Sequence, residues 1–130
     1  MISQYLYIST APSLTRADVD SILASSQRNN EARGVTGLLL YNGRNFLQLL
    51  EGEESELVSL MVKISHDPRH TGISMIDRKL AEERACPNWA MRRVMIAESV
   101  EKRRELLEAE LPEGLDPQTR KIVTNFVVLN

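Results

Sequence analysis

Residues Val35 to Gly52 read VTGLLLYNGRNFLQLLEG, two apolar runs joined across Asn42-Gly43. Asn-Gly between strand-like runs is the strongest short-range hairpin signal, so this chain must build a sheet and bury at least one face of it. In the second run, alternation sets Phe46, Gln48 and Leu50 on one face and Leu47, Leu49 and Glu51 on the other. Gln48 thus falls inside an apolar stripe, where an unpaired primary amide costs about 1–3 kcal/mol. The partner of that amide is what the sequence asks for.

The flanking segments define the sheet's surroundings. QYLYIS alternates Tyr5, Tyr7 and Ser9 against Leu6 and Ile8, as a strand does. Thr15 and Asp18 have capping-box spacing and open a helix expected to run to about Asn30, with Val19, Ile22, Leu23 and Ser26 on its inner stripe and Gly34 as its stop. After Gly52, Glu53 and Glu54 suit a helix N-terminus, and Leu57, Leu60, Met61 and Ile64 give a second amphipathic helix that Pro68 ends. TGISMIDRKL and WAMRRVMIA alternate as two further strands.

The order βαββαββ predicts an α+β fold, a ferredoxin-like sandwich with two helices on one face of a five-stranded mixed sheet. Its first and third strands are neighbours, so Tyr7 and Gln48 can face the same way. The expected domain spans residues 1–97. Residues 98–130 form a C-terminal helical segment in which Ser99 caps a charged helix. Asp116-Pro117 opens another helix, carrying Ile122, Val123, Phe126 and Val127 on one stripe. That stripe suits either the open face of the sheet or another subunit.

Composition narrows the function classes. The net charge is −2, and no basic stripe interleaves with aromatics, so neither nucleic acid nor a membrane surface is an expected partner. Cys86 is the single cysteine, which removes a disulfide framework and cysteine-rich metal sites. No charged-then-apolar leader pattern opens the chain, and no apolar run reaches transmembrane length, so a cytoplasmic location is expected. His66 and His70 have i, i+4 spacing, but Pro68 breaks the helix that would make a metal pair of them. There is no nucleophile elbow, phosphate-cradling glycine loop or paired acid–base carboxylate set, and the expectation is a protein that is not an enzyme.

Amides and one phenol remain as candidate binding groups. Asn29 and Asn30 extend the inner stripe of the first helix, where they either cap its end or read a polar ligand. Gln48 and Tyr7 are each unremarkable alone, yet together with a helix-face amide they suggest a planar polar ligand between helices and sheet. Arg69 and His70 form a loop able to approach an anionic or carbonyl group, and Trp89 and Met91 begin the last strand. A small hydrolase of the acylphosphatase kind would want an arginine on a glycine-rich phosphate loop. Arg16 and Asn29 are present but that loop is not. A cofactor-free dimerisation or small-ligand module of the same fold is the third reading.

YLYIST, SSQRNNEARGVTGLLLYNGRNFLQLLEG, ISHDPRHTGI and CPNWAM together closely resemble the BLUF domain, the flavin-binding blue-light sensor module, over roughly Ile2 to Ile96. The resemblance implies noncovalently bound FAD, with FMN or riboflavin as alternatives, held between the two helices. It makes Tyr7 the photoactive tyrosine and Gln48 the switching glutamine. Asn30 becomes a flavin-ring ligand with Asn29 beside it, and Arg69 and His70 lie near the flavin's pyrimidine edge or side chain. Trp89 and Met91 match a mobile pair associated with signal output, although serine is frequent in the family where Ala90 stands here. The segment after Ser99 resembles the C-terminal helices of short, stand-alone members. A homo-oligomer signalling to a separate effector protein is therefore expected.

Overall fold

Strand β3 (Asn45–Gly52) lies at the middle of the sheet because both its faces are apolar enough to be buried, and all but its first residue are buried. The computed structural model describes residues 1–69, 71–96 and 99–129. Its remaining elements are β1 (Ile2–Thr10), α1 (Arg16–Arg33), β2 (Thr36–Tyr41), α2 (Glu54–Ser65), β4 (Thr71–Ala81), β5 (Arg92–Arg93), α3 (Arg103–Glu110) and α4 (Pro117–Leu129), with a 3-10 turn at Val100–Lys102. The strand order is β4-β1-β3-β2-β5, antiparallel except for the β2–β5 pair. This is the expected α+β sandwich with a five-stranded mixed sheet. The expected domain boundary between residues 97 and 98, like His70, lies outside the described residues.

Local chemistry explains the element ends. The hairpin closes because the Asn42 side chain accepts the Arg44 and Asn45 N–H groups (3.0 and 2.7 Å), while Gly43 takes φ 90°. The Thr15 hydroxyl accepts from the Asp18 N–H and the Asp18 carboxylate from the Thr15 N–H, completing the capping box of α1. Gly34, left-handed at φ 67°, ends α1 at Arg33 rather than Asn30. Asn30 is therefore a helical residue and its side chain is free for other work.

One expectation needs correction. WAMRRVMIA does not form a long strand: only Arg92–Arg93 pair with β2. The carbonyls just before that pair are taken by α1 side chains instead of a ladder: Ala90 accepts from Asn30 and Met91 from Gln27. Gly37 lies within β2, where a Cβ would overlap the Leu49 carbonyl.

Both faces of the sheet are covered. Tyr5, Tyr7, Leu39, Phe46 and Leu50 pack beneath α1 and α2. Leu6, Leu38, Leu40, Leu47 and Leu49 pack with Leu107, Val123, Phe126 and Val127 of α3 and α4. The C-terminal stripe thus closes the second face of its own sheet.

Asp116 fastens that arrangement. Its carboxylate accepts the Gln118 and Thr119 N–H groups (both 3.1 Å) as the α4 N-cap, and also accepts from the Thr119 hydroxyl and the Lys79 ammonium on β4. Burial alone would raise this carboxyl, but the Lys79 and Thr119 hydrogen bonds outweigh it and bring it down to about 2, from an ordinary 3.8. A depressed folded value means the stabilisation is complete above the ordinary value and fades as pH falls toward 2. Asp116→Ala should lower stability by about 0.5–2 kcal/mol at neutral pH, as N-cap losses do. Denaturant melts check this: the wild-type advantage over the variant should shrink below pH 4, and a pH-independent difference would show that the charge is not involved.

Candidate functional site

Tyr7 and Gln48 are register partners on β1 and β3, and both side chains point toward α1 and α2. The Tyr7 hydroxyl donates to Gln48 Oε1. Tyr7 has no exposed surface and Gln48 only 4%. With its oxygen on the phenol, Gln48 turns its NH2 toward the Met91 thioether, 3.5 Å away. A thioether is a weak acceptor, so the amide keeps donor capacity to spare. Burial first, and the Asp67 charge second, push the Tyr7 phenol up, so it stays protonated.

Above this pair, α1 changes character along its length. Its N-terminal half buries Val19 and Ile22, whereas the same face ends in Ser26 and Asn30. The result is a cleft between α1, α2 and the sheet, lined by Ser26, Asn30, Gln48, Lys63, Asp67 and Arg69 among others. Asn30 is fully buried. Its Nδ2 donates to the Ala90 carbonyl at 2.8 Å, and its Oδ1 has no partner among the described residues. A buried acceptor left this way costs about 1–3 kcal/mol, which a ligand N–H would recover.

The other expected residues divide. Asn29 is exposed at the rim of the cleft, without the burial of Asn30. Arg69 is half-buried on the cleft wall, and its guanidinium engages Asp67, with Nε and Nη2 donating at 2.7–3.1 Å. His70 lies outside the described residues. Met91 is buried beside Gln48, while Trp89 packs against the cluster beneath α3 and α4, with the Arg92 guanidinium 4.6 Å over its ring. Asn30 does not cap its helix, contrary to the simplest sequence reading. Lys63 and Asp67 escaped that reading because nothing in a solvated-looking helix end marks them as cleft residues.

The cleft encloses about 80 Å³, below the ~300 Å³ at which ligand pockets usually begin, so a multi-ring ligand must part α1 from α2. Arg33 bridges the two helices through Glu56 and Ser59, both at 3.1 Å. This is a partly exposed ion pair, worth about 0–1 kcal/mol, so it offers little resistance.

The family described as BLUF, sensors of blue-light using FAD, matches residues 2–92. The chain belongs to the BLUF family. It is 36% identical over 88 residues to the photoactivated adenylate cyclase subunit beta of Euglena longa, a match covering 67% of this chain and 10% of that protein. The chain thus spans about a tenth of the length of that relative. BlrB, a BLUF protein solved in its dark state, is 31% identical, with a TM-score of 0.75 over 96% of both chains. Klebsiella pneumoniae BlrP1, solved with FMN and cyclic diGMP, is 27% identical with a TM-score of 0.82, covering 98% of this chain and 34% of that one. BLUF domains are flavin-binding sensors rather than enzymes. Among the described residues, no helix is long and apolar enough to cross a membrane.

The residues present fit a flavin. Its pyrimidine edge carries both N–H and C=O groups, and this BLUF cleft offers as acceptor the Asn30 Oδ1, unpartnered among the described residues, and the Gln48 NH2 as donor.

Proposed function

We propose that this chain is a blue-light photoreceptor that holds FAD noncovalently between α1 and α2, with Tyr7 and Gln48 as its light-driven switch. The observation that carries this reading is the buried Tyr7–Gln48 hydrogen bond beside a buried Asn30 oxygen that no group among the described residues satisfies. Asn30 and Gln48 would hold the ring edge, with Asn29 at the rim, and Arg69 and His70 would serve its pyrimidine edge or side chain. These ring contacts serve FAD, FMN and riboflavin alike, and BlrP1 was solved with FMN.

Bound flavin supplies the absorption of blue light and, once excited, a strong one-electron oxidant. Tyr7 is the electron donor. Because burial keeps its phenol neutral, losing an electron requires losing the proton too, and Gln48 Oε1 is the acceptor in place. Gln48 can answer by rotation or tautomerisation, since its terminal group carries a donor and an acceptor that exchange places. With electron and proton back on Tyr7, only the hydrogen-bond pattern between Tyr7 and Gln48 would be left altered. Met91, beside the Gln48 NH2, is the first group outside the pair to feel that change, and Trp89 and the segment 98–130 carry it onward to a separate effector. Residues 1–97 are the sensor in this reading, and the protein works as a cytoplasmic homo-oligomer.

The test is optical. Protein purified with FAD should be yellow and shift slightly to the red under blue light, recovering in the dark. A colourless protein after flavin supplementation would favour a cofactor-free module of this fold. Asn30→Ala should lose flavin affinity by about tenfold or more, as expected for removing a buried hydrogen bond worth ~1.5 kcal/mol. Equilibrium dialysis measures it, and unchanged affinity together with an unchanged dark spectrum would remove Asn30 from the ring contacts.

A further inference from the structure

Glu51 follows Gln48 on β3 by three residues and points to the opposite face, where it has no exposed surface. Its carboxylate accepts four hydrogen bonds from three separate parts of the chain. Oε2 accepts from Gln4 Nε2 of β1 at 2.8 Å and from the Ala85 N–H at 2.6 Å. Oε1 accepts from the Thr36 hydroxyl of β2 at 3.1 Å and from the Cys86 N–H at 2.8 Å. Arg84 adds a second layer, donating to the Thr36 hydroxyl, the Glu51 carbonyl and the Gly34 carbonyl at 2.8–3.1 Å. Residues 84–86 are thereby fastened to the sheet at several points.

Beyond Cys86 the attachment is different in kind. Pro87 and Asn88 are exposed. The carbonyls of Ala90 and Met91 then accept from Asn30 and Gln27 of α1, and the Met91 sulfur faces the Gln48 NH2. The Trp89 carbonyl keeps one backbone bond, from the Gly37 N–H of β2 at 2.9 Å, but Ala90 and Met91 are held by side chains at or beside the cleft, while the residues before Pro87 are held by a buried acid. We propose that Glu51 is a positioning residue of the light response: it clamps the segment at Ala85–Cys86, so that rearrangement at Gln48 displaces Trp89–Met91 instead of shifting the whole segment. This rests on the function proposed above.

The geometry explains why an acid stands there. Gln48 and Glu51 sit on one strand, about 10 Å apart at ~3.3 Å per residue, so the switch and the clamp share a rigid base. Four donors converge, two of them consecutive backbone N–H groups, and only a two-oxygen acceptor satisfies them all. Glutamine has nearly the same shape but one oxygen. Either orientation of its amide sets an NH2 against a backbone donor.

Hydrogen exchange on the flavin-loaded full chain, in darkness and under blue light, reads the clamp directly. In the wild type, the Ala85 and Cys86 amides should stay protected in both conditions, with light-dependent exchange confined to residues 88–93. Glu51→Gln should keep its red shift, yet lose protection at Ala85 and Cys86 by about tenfold, the scale of one buried hydrogen bond. The light-induced change in fluorescence of Trp89, the only tryptophan, should fall by at least about half with it. An intact red shift with an undiminished Trp89 response in Glu51→Gln overturns the inference alone. So does a wild type whose Ala85 and Cys86 amides open under light as much as residue 89 does, a result that holds even should the variant fail to fold. A flavin-loaded wild type with no red shift overturns the photoreceptor reading and this inference with it.

Discussion

Tyr7→Phe should give a yellow, folded protein whose absorption no longer shifts under blue light. Phenylalanine keeps the ring that packs among Leu39, Phe46 and Leu50, so the wall of the cleft is preserved. Asn30 and the polar lining are untouched, and flavin should be retained. What disappears is the hydroxyl, the only group on that ring able to donate a proton to Gln48 Oε1 and the reason the ring oxidises readily. Visible spectra before and after illumination decide the matter, and a normal shift with normal recovery would remove Tyr7 from the mechanism.

Gln48→Leu should abolish the shift as well, and its stability should reveal the pairing behind it. Leucine leaves the Tyr7 hydroxyl buried with no acceptor, just as Tyr7→Phe leaves the Gln48 oxygen without its donor. Each single change should cost about 1–3 kcal/mol, whereas removing both partners together is nearly neutral by comparison. The double variant Tyr7→Phe/Gln48→Leu should therefore be more stable than the sum of the two single losses allows, with a coupling of about 1–3 kcal/mol in denaturant melts. Strictly additive losses would mean that phenol and amide do not depend on one another.

Much of this site was legible in the sequence, for a definite reason. Strand alternation and the Asn42-Gly43 turn act over neighbouring residues, so the burial of Gln48 and its access to Tyr7 follow from period and topology. The capping box and the Asp116-Pro117 helix start were local in the same sense. Long-range capture of backbone was not. Asn30 reaches Ala90 across 60 residues and Gln27 reaches Met91 across 64, and those contacts keep the last strand down to two residues. No periodicity encodes them. Glu51 falls between these cases. Alternation sets it on the stripe of Leu47 and Leu49, and an acid on an apolar stripe marks a buried carboxylate. Its partners at Ala85 and Cys86, in an irregular stretch, had no signature of their own.

The clamp also governs the chain's one thiol. Cys86 is buried, and burial first, then the nearby Glu51 charge, push its thiol up. Since the thiolate is the reactive form, alkylating reagents should reach it only when this stretch lifts off the sheet. Labelling rates then act as a stopwatch for that opening, and a disulfide-linked dimer on a gel would report chains that had come apart rather than a native assembly.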